Sequence, residues 1–442
     1  MSAGQTPPRL SRATAFPGQA TPPVRMVHLG LGAFHRSHQA WYTQHAGDAA
    51  DWGIAAFTGR RPDAAEILTE QDGVFTVVER SGVGDSFELI GSIVEAVDGS
   101  DVRRLAGLVA APSTVVVTLT ITEAAYAAAG AETPLARLVT ALAARKDADA
   151  GPIAVVSCDN LAENGLVARK AVQALAEATD PALGEWINAN VSFVSTSVDR
   201  ITPRTTPEDL VEVAEQCGYR DEAAVVAEPF HNWILSGDFP GGRPRWEEAG
   251  AIFVEDIEPY ENRKLWLLNG AHSILAYAGL VRGHATVAEA LSDDVCRSAV
   301  EAFWDEASRH LPDEGLDIPG YRKALLDRFG NSRIAHHLTQ IAMDGTTKLR
   351  MRALPVLAAE RTQGRSGDGA ARMIAAWIAY LSATEDFQDP LVDDIRTAKA
   401  HDGEQRTAAL LALLSPGLAG DSALVSHIHR QQDAIAAPRT HA

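Results

Sequence analysis

The strongest constraint on the fold lies between Val24 and Arg36. Val24-Arg-Met-Val-His-Leu29 is a short apolar run that passes directly into Gly30-Leu-Gly-Ala-Phe-His-Arg36, and the chain from there to about Gln44 reads as a helix. A strand, a glycine turn and a helix in that order aim backbone N–H groups at a pyrophosphate. His35 stands where the G-x-G-x-x-G pattern has its third glycine, so the turn alone also fits a tight bend that merely needs small residues. Further apolar runs follow at Gly53-Ile-Ala-Ala-Phe-Thr58, Phe75-Thr-Val-Val78, Thr114-Val-Val-Val-Thr-Leu-Thr-Ile121, Pro152-Ile-Ala-Val-Val-Ser157 and Val191-Ser-Phe-Val194. Helical stretches, such as 133–145 and 165–177, separate them. Continuous β-branched runs alternating with helices predict a parallel sheet buried on both faces. The expected fold class is therefore α/β, with a Rossmann-like doubly wound N-terminal domain that binds ligands at the carboxyl ends of its strands.

Polar clusters stand at those strand ends: Thr122-Glu123, Cys158-Asp-Asn160 and Asp199-Arg200. Singly each is an ordinary loop; together they mark one crevice. From Glu258 onward strand signals fade and helical patterns take over at 286–309, 320–328, 332–343, 369–382 and 404–414. The expected organisation is an irregular arm over 1–23, a dinucleotide-binding domain over 24–258 and a mainly α-helical substrate domain over 259–442. The active site is expected between the two domains. The last residues, Pro438-Arg-Thr-His-Ala442, are expected to fray.

The helical part opens with Lys264-Leu-Trp-Leu-Leu-Asn269-Gly-Ala-His272, which sets an amine, an amide and an imidazole on one short segment. At about 100° per residue, Asn269 falls about 140° and His272 about 80° around an α-helix from Lys264, so all three can face one cleft. These groups suit dehydrogenation of an alcohol without a metal. A lysine takes the hydroxyl proton while the amide and imidazole hold the oxygen and its neighbours. A surface helix whose lysine snorkels is the plain alternative. Only six of the 39 basic residues are lysine. Lysine, unlike arginine, is readily brought into titration by burial, so its retention here is suggestive.

Composition narrows the partners. A net charge of −19 and a pI near 5.1 argue against nucleic acid and against a basic membrane-facing patch. Three scattered cysteines make neither a disulfide framework nor a cysteine-rich zinc site, and they fit a reducing cytoplasm. No apolar run approaches the ~20 residues of a membrane span, and the Pro-rich start lacks the apolar stretch of a signal peptide. The expected partner is a small molecule, and the expected state a monomer or small homo-oligomer.

With these residues assembled, the chain resembles the mannitol dehydrogenase family of polyol-specific long-chain dehydrogenases. The resemblance runs from about His28 to about residue 400. It rests on His28-Leu-Gly-Leu-Gly-Ala-Phe-His-Arg-Ser-His-Gln39, Leu119-Thr-Ile-Thr-Glu123 and Ser157-Cys-Asp-Asn-Leu-Ala-Glu-Asn-Gly165, together with Val198-Asp-Arg-Ile-Thr-Pro203, Glu228-Pro-Phe230 and the Lys264, Asn269, His272 spacing. The resemblance implies an NAD(P)-dependent, metal-independent oxidoreductase acting on a sugar alcohol or sugar acid. It implies Lys264 as general base in oxidation and general acid in reduction, with Asn160 and Asn269 bonding the reacting oxygen. His272 would orient the substrate, and Glu261 would pass protons between lysine and solvent. Gly30, Gly32, Ala33, Phe34, Glu123 and Asp199 would border the cofactor, and Asp63 would hold the adenosine ribose.

A carboxylate at Asp63 favours NAD, because it pairs with a ribose 2′-OH and repels a 2′-phosphate; Arg60 and Arg61 keep NADP as an alternative. Residues 340–352 look more like fructuronate reductases, since mannitol 2-dehydrogenases tend to carry arginine where this chain has Gln340. Lys348, Arg350 and Arg352 would supply the positive charge that a carboxylate needs on an acidic protein, which makes D-mannonate and D-fructuronate the expected pair. Oxidation of mannitol or of mannitol 1-phosphate is the alternative within the family. A methyltransferase would also use a glycine turn, and a non-enzymatic dinucleotide sensor would have lost Lys264.

Overall fold

The computed structural model describes residues 7–128 and 130–436, and the expected fraying of 438–442 lies outside them. Contacts divide the chain into two units that meet at Glu258 and Pro259. In the first unit, strands form at β1 Val24–Leu29, β2 Gly53–Phe57, β3 Phe75–Ser81, β4 Gly84–Ile90, β5 Ile93–Val97 and β6 Val116–Leu119. They continue with β7 Ile153–Ser157, β8 Val191–Asp199, β9 Val225–Ala227, β10 Asn232–Ser236 and β11 Ile252–Phe253.

Eight of these make one sheet in the order β11-β10-β8-β7-β6-β1-β2-β5. From β5 to β8 all neighbours pair in parallel, while β10 lies antiparallel to β8. Numbered by their sequence among the parallel strands, these six run 3-2-1-4-5-6, the doubly wound order whose ligand crevice opens where the winding reverses, between β1 and β6. Alternation along the strands explains the double burial. Met26, Ile54, Ala56, Val116, Ala154 and Val156 enter one core. Val27, Ala55, Phe57, Val117, Leu119, Ile153 and Val155 enter the other, beneath the Val102–Val109, Pro134–Asp147, Asn164–Thr179 and Pro181–Asn190 helices. A one-residue slip of register would exchange the two sets.

The structure corrects four expectations. The Phe75–Val78 run does not join the parallel sheet but belongs to a separate three-stranded one, ordered β4-β3-β9. Phe75 and Val77 face the larger core and Val78 a small satellite core, so burial on both faces gave β3 the look of a central strand. The helix after the glycine turn breaks at His38 (φ −121°, ψ −86°) into Ala33–Ser37 and Gln39–His45. The arm is not irregular throughout: within its described residues, 7–23, Arg12–Ala15 forms one helical turn, Leu10 is buried, and Arg12 donates to the carbonyls of Gly91 and Ile93 at 2.8 Å each. Of the helix expected over 332–343, only Leu338–Ile341 forms.

In the second unit the Asp368–Ala383 helix is apolar on nearly every side and packs against the Ala271–Val281, Asp294–Ser308 and Ser422–Ala436 helices. An all-round apolar helix is stable only at the centre of a bundle. No helix among the described residues is long and apolar enough to cross a membrane.

Candidate active site

At the end of β1 the chain turns at Gly30, whose φ of +111° is left-handed. A Cβ there would lie 2.0 Å from the Thr120 carbonyl oxygen, so β6 presses directly on the turn. The Gly30 and Leu31 N–H groups donate to Phe57 O at 2.9 and 2.8 Å, which ties the turn to β2. At Gly32 a Cβ would meet only the Gly30 carbonyl oxygen, at 3.6 Å, and would otherwise fill open space above the turn. That space, with Ala33 and Phe34 opening the next helix, fits a dinucleotide pyrophosphate.

The third-glycine position has a physical substitute. His35 is fully buried and stacks on His28 with ring centroids 3.4 Å apart, and His28 bonds Thr118 and Thr120 at 2.8 and 3.0 Å. Burial pushes both imidazoles down, His28 to about 3, so both are neutral. The two neutral rings, stacked face to face, fill the space between the helix and β1.

Asp63 is the first residue of the Asp63–Glu70 helix, exposed and 3.5 Å from Arg61. It lines a cavity of about 550 Å3 with Leu31, Arg36, Arg60, Arg61 and Arg204. Asp199 ends β8, where its charge faces His38 and Tyr42. Arg200 is not a crevice residue. Its buried guanidinium donates to Glu228 O, Ser37 O and the Glu79 carboxylate at 3.0, 2.6 and 2.5 Å, joining the two sheets.

Glu123 opens the Glu123–Tyr126 helix and Asn160 follows β7; both are exposed. Asp159, the middle residue of the Cys158-Asp-Asn160 cluster, carries no assigned role in the sequence reading. Its buried carboxylate accepts Thr122 N–H at 2.8 Å, Ile121 N–H at 3.2 Å and the Tyr126 hydroxyl at 2.7 Å. Burial pushes that carboxyl up, against the pull of these donors. Thr122 adopts φ +72°, ψ 153°, a region nearly reserved for glycine.

In the second unit, Lys264–Gly270 is a π-helix between the Glu258–Arg263 and Ala271–Val281 α-helices. Its i→i+5 bonding widens the turn, so the α-helical angles do not describe how Lys264, Asn269 and His272 are arrayed. Glu261 lies one turn before Lys264; both are half-buried, as is Asn269. Trp304 donates to Leu267 O at 2.7 Å, and Arg352 to Asn269 O at 3.0 Å and Ser273 Oγ at 2.9 Å, which pins the irregular turn from two sides.

His272 is buried, and its Nε2 has no hydrogen-bond partner among the described residues. Its ring packs against Phe329 and His336, with centroids 4.8 and 4.9 Å away. Burial, then the charges of His336, Arg328, Arg352 and Lys348, push its pKa well below the usual histidine range. Lys348 and Arg352 lie one turn apart on the Gly345–Arg352 helix, and Lys348 donates to Ile341 O at 3.0 Å. The expected cluster divides here. Arg350, two residues along, falls on the other side of the helix, is exposed, and donates to Leu413 O at 2.5 Å. Gln340 is exposed on the Leu338–Ile341 helix. Nothing in the sequence pattern had pointed to His336 or Arg328. Among the described residues no three His, Cys, Asp or Glu side chains are placed to hold a metal ion.

The doubly wound sheet with its open glycine turn defines a Rossmann-type dinucleotide-binding protein. The chain belongs to the mannitol dehydrogenase family: residues 24–248 match the mannitol dehydrogenase Rossmann domain and 256–436 the mannitol dehydrogenase C-terminal domain. It is 37% identical to the D-mannonate oxidoreductase of Escherichia coli K12, over 88% of each chain. It is 32% identical to a mannitol 2-dehydrogenase of Emericella nidulans, over 94% of this chain and 91% of that one. Among solved structures it resembles a substrate-free D-sorbitol dehydrogenase (TM-score 0.88, 27% identity, 97% and 98% of the two chains). It also resembles the Pseudomonas fluorescens mannitol 2-dehydrogenase in complex with NAD and D-mannitol (TM-score 0.77, 31% identity, 98% and 94%). The protein is an oxidoreductase.

Proposed function

We propose that the protein interconverts D-mannonate and D-fructuronate. The observation that carries this is the set of cationic side chains around His272, namely Lys348, Arg352 and Arg328, on a protein of net charge −19. A neutral polyol gains little from such a group, whereas a carboxylate gains charge-assisted hydrogen bonds. Likeness to the E. coli D-mannonate oxidoreductase supports the same reading.

In this proposal Lys264 takes the hydroxyl proton at Nζ when the alcohol is oxidised and returns it when the ketone is reduced. Asn160 and Asn269 donate hydrogen bonds to the reacting oxygen, His272 orients the substrate, and Glu261 passes protons between Lys264 and solvent. When bound at the glycine turn, a nicotinamide cofactor would supply the hydride acceptor for oxidation and the donor for reduction. NAD is the main cofactor, held at its ribose by Asp63; the arginines beside Asp63 give NADP measurable but weaker turnover.

The test is a panel of D-mannonate, D-mannitol, D-arabinitol and mannitol 1-phosphate with NAD and NADP, and of fructuronate and fructose in reverse. D-Mannonate with NAD should have the highest kcat/KM, and Lys348→Ala should hurt mannonate more than mannitol. Far more efficient turnover of mannitol would instead assign mannitol oxidation, a reading favoured by the likeness to the mannitol-bound structure.

A further inference from the structure

We propose that Asp159 is a positioning residue, which locks the ends of β6 and β7 into one ledge and thereby sets where Asn160 stands. The proposal rests on the reading of Asn160 as a partner of the reacting oxygen.

The hydrogen bonds are continuous across three strand ends. At β6, the Asp159 carboxylate takes Thr122 N–H on Oδ1, and Ile121 N–H and the Tyr126 hydroxyl on Oδ2. At β7, the Tyr126 hydroxyl lies 2.6 Å from Ser157 Oγ, so the Glu123–Tyr126 helix, which follows β6 in the chain, is anchored to the end of β7. Behind Asp159, Asn164 donates to the Asp159 carbonyl at 2.9 Å and to Thr196 O at 2.7 Å, and accepts Thr196 N–H at 2.8 Å. In front, Thr120 donates to Gly30 O at 2.9 Å. The glycine turn, Thr122-Glu123 and the Asp159-Asn160 loop therefore share one scaffold.

The strain at Thr122 identifies which bond matters. A threonine does not hold φ +72°, ψ 153° unaided, because its Cβ collides with its own backbone. The bond from Thr122 N–H to Oδ1 holds it there, since an ionised carboxylate is the only side chain with acceptors enough for two N–H groups and an O–H. An amide in its place turns an N–H toward one of those donors. The β6 end then relaxes, and Asn160, the next residue in the chain, moves with Asp159.

The experiment is a double-mutant cycle. Asp159→Asn should lower kcat roughly tenfold to a hundredfold, with KM for NAD and NAD affinity by calorimetry within about twofold. In an Asn160→Ala background the same substitution should have little further effect, because it acts through Asn160. Thr122→Gly should restore most of the activity of Asp159→Asn, since glycine adopts this conformation without a clash. Tyr126→Phe, which removes one donor and spares the charge, should show the same dependence on Asn160 even if Asp159→Asn folds poorly. Losses that add to those of Asn160→Ala, or full activity of Asp159→Asn, would overturn the proposal. Full activity of Asn160→Ala itself would instead refute the role given to Asn160.

Discussion

Gly30 and Gly270 are interchangeable on paper, yet they exclude a side chain for different reasons. At Gly30 both the left-handed φ and the Thr120 carbonyl at 2.0 Å forbid a Cβ. Gly30→Ala should abolish dinucleotide binding, read by calorimetry with NAD, and should lower the Tm; an alanine variant with normal NAD affinity would refute the turn as the cofactor cradle. Gly270 ends the π-helix with φ −63°, an ordinary helical value, where alanine would normally add about 1 kcal/mol of stability. A Cβ there would stand 2.5 Å from the Phe303 ring, and overpacking of that kind costs about 1–3 kcal/mol. The clash outweighs the propensity, so Gly270→Ala should lower the Tm by a few degrees; a rise would show that Phe303 can move aside.

At the scale of elements, the segment with the most chemistry is the one with the least regular backbone. A π-turn gives up i→i+4 bonding over Lys264–Gly270, and the Trp304 and Arg352 hydrogen bonds to its carbonyls compensate. Lys264→Ala should reduce kcat by about 10²–10⁴-fold while leaving NAD affinity unchanged, because only the acid–base step is lost; single-turnover kinetics separates the two, and an active variant would exclude Lys264 from proton transfer. The residue types of this segment were legible in the sequence, but its winding was not, because a π-turn is set by tertiary bonds to its carbonyls. The same contrast holds in the sheet. β1, β2, β6 and β7 announce themselves as short apolar runs buried on both faces, and the Val191–Val194 start of β8 follows them. β4, Gly-Asp-Ser-Phe-Glu-Leu-Ile, alternates like a half-exposed hairpin strand and was overlooked; counting period-two alternation would have found it. The three-residue β9 and two-residue β11 carry too few residues for any pattern. The separation of Arg350 from Lys348 and Arg352 was readable from helical spacing alone.

At the scale of the whole molecule, acid stability follows from where the histidines lie. His28 and His38 are buried and neutral, each with its pKa lowered by burial to about 3. A base whose folded pKa is depressed stabilises the fold above its unfolded value near 6.5, and that contribution is lost as pH falls toward 3. At pH 5 each of the two already forfeits about 2 kcal/mol, a sizeable part of the ~5–15 kcal/mol typical of folded proteins. Unfolding by urea should therefore show a fall in stability between pH 7.5 and 5, before the carboxylates titrate; a flat profile would mean that these imidazoles find protonation partners. The Arg12 bonds to Gly91 and Ile93 have a different consequence, which concerns how copies of the chain meet. β5 is the last strand at one end of the large sheet, and β11 at the other end is only two residues long. An exposed strand margin is a template on which a neighbour's strand can pair, and short or covered margins suppress this. Arm residues occupy the carbonyls where β5 begins, so they act as a stopper against stacking of sheets. Deleting residues 1–15 should leave turnover per folded molecule nearly intact but make the protein self-associate with rising concentration, as light scattering would show. A shortened chain that stayed monodisperse would mean that β5 is protected by some other means.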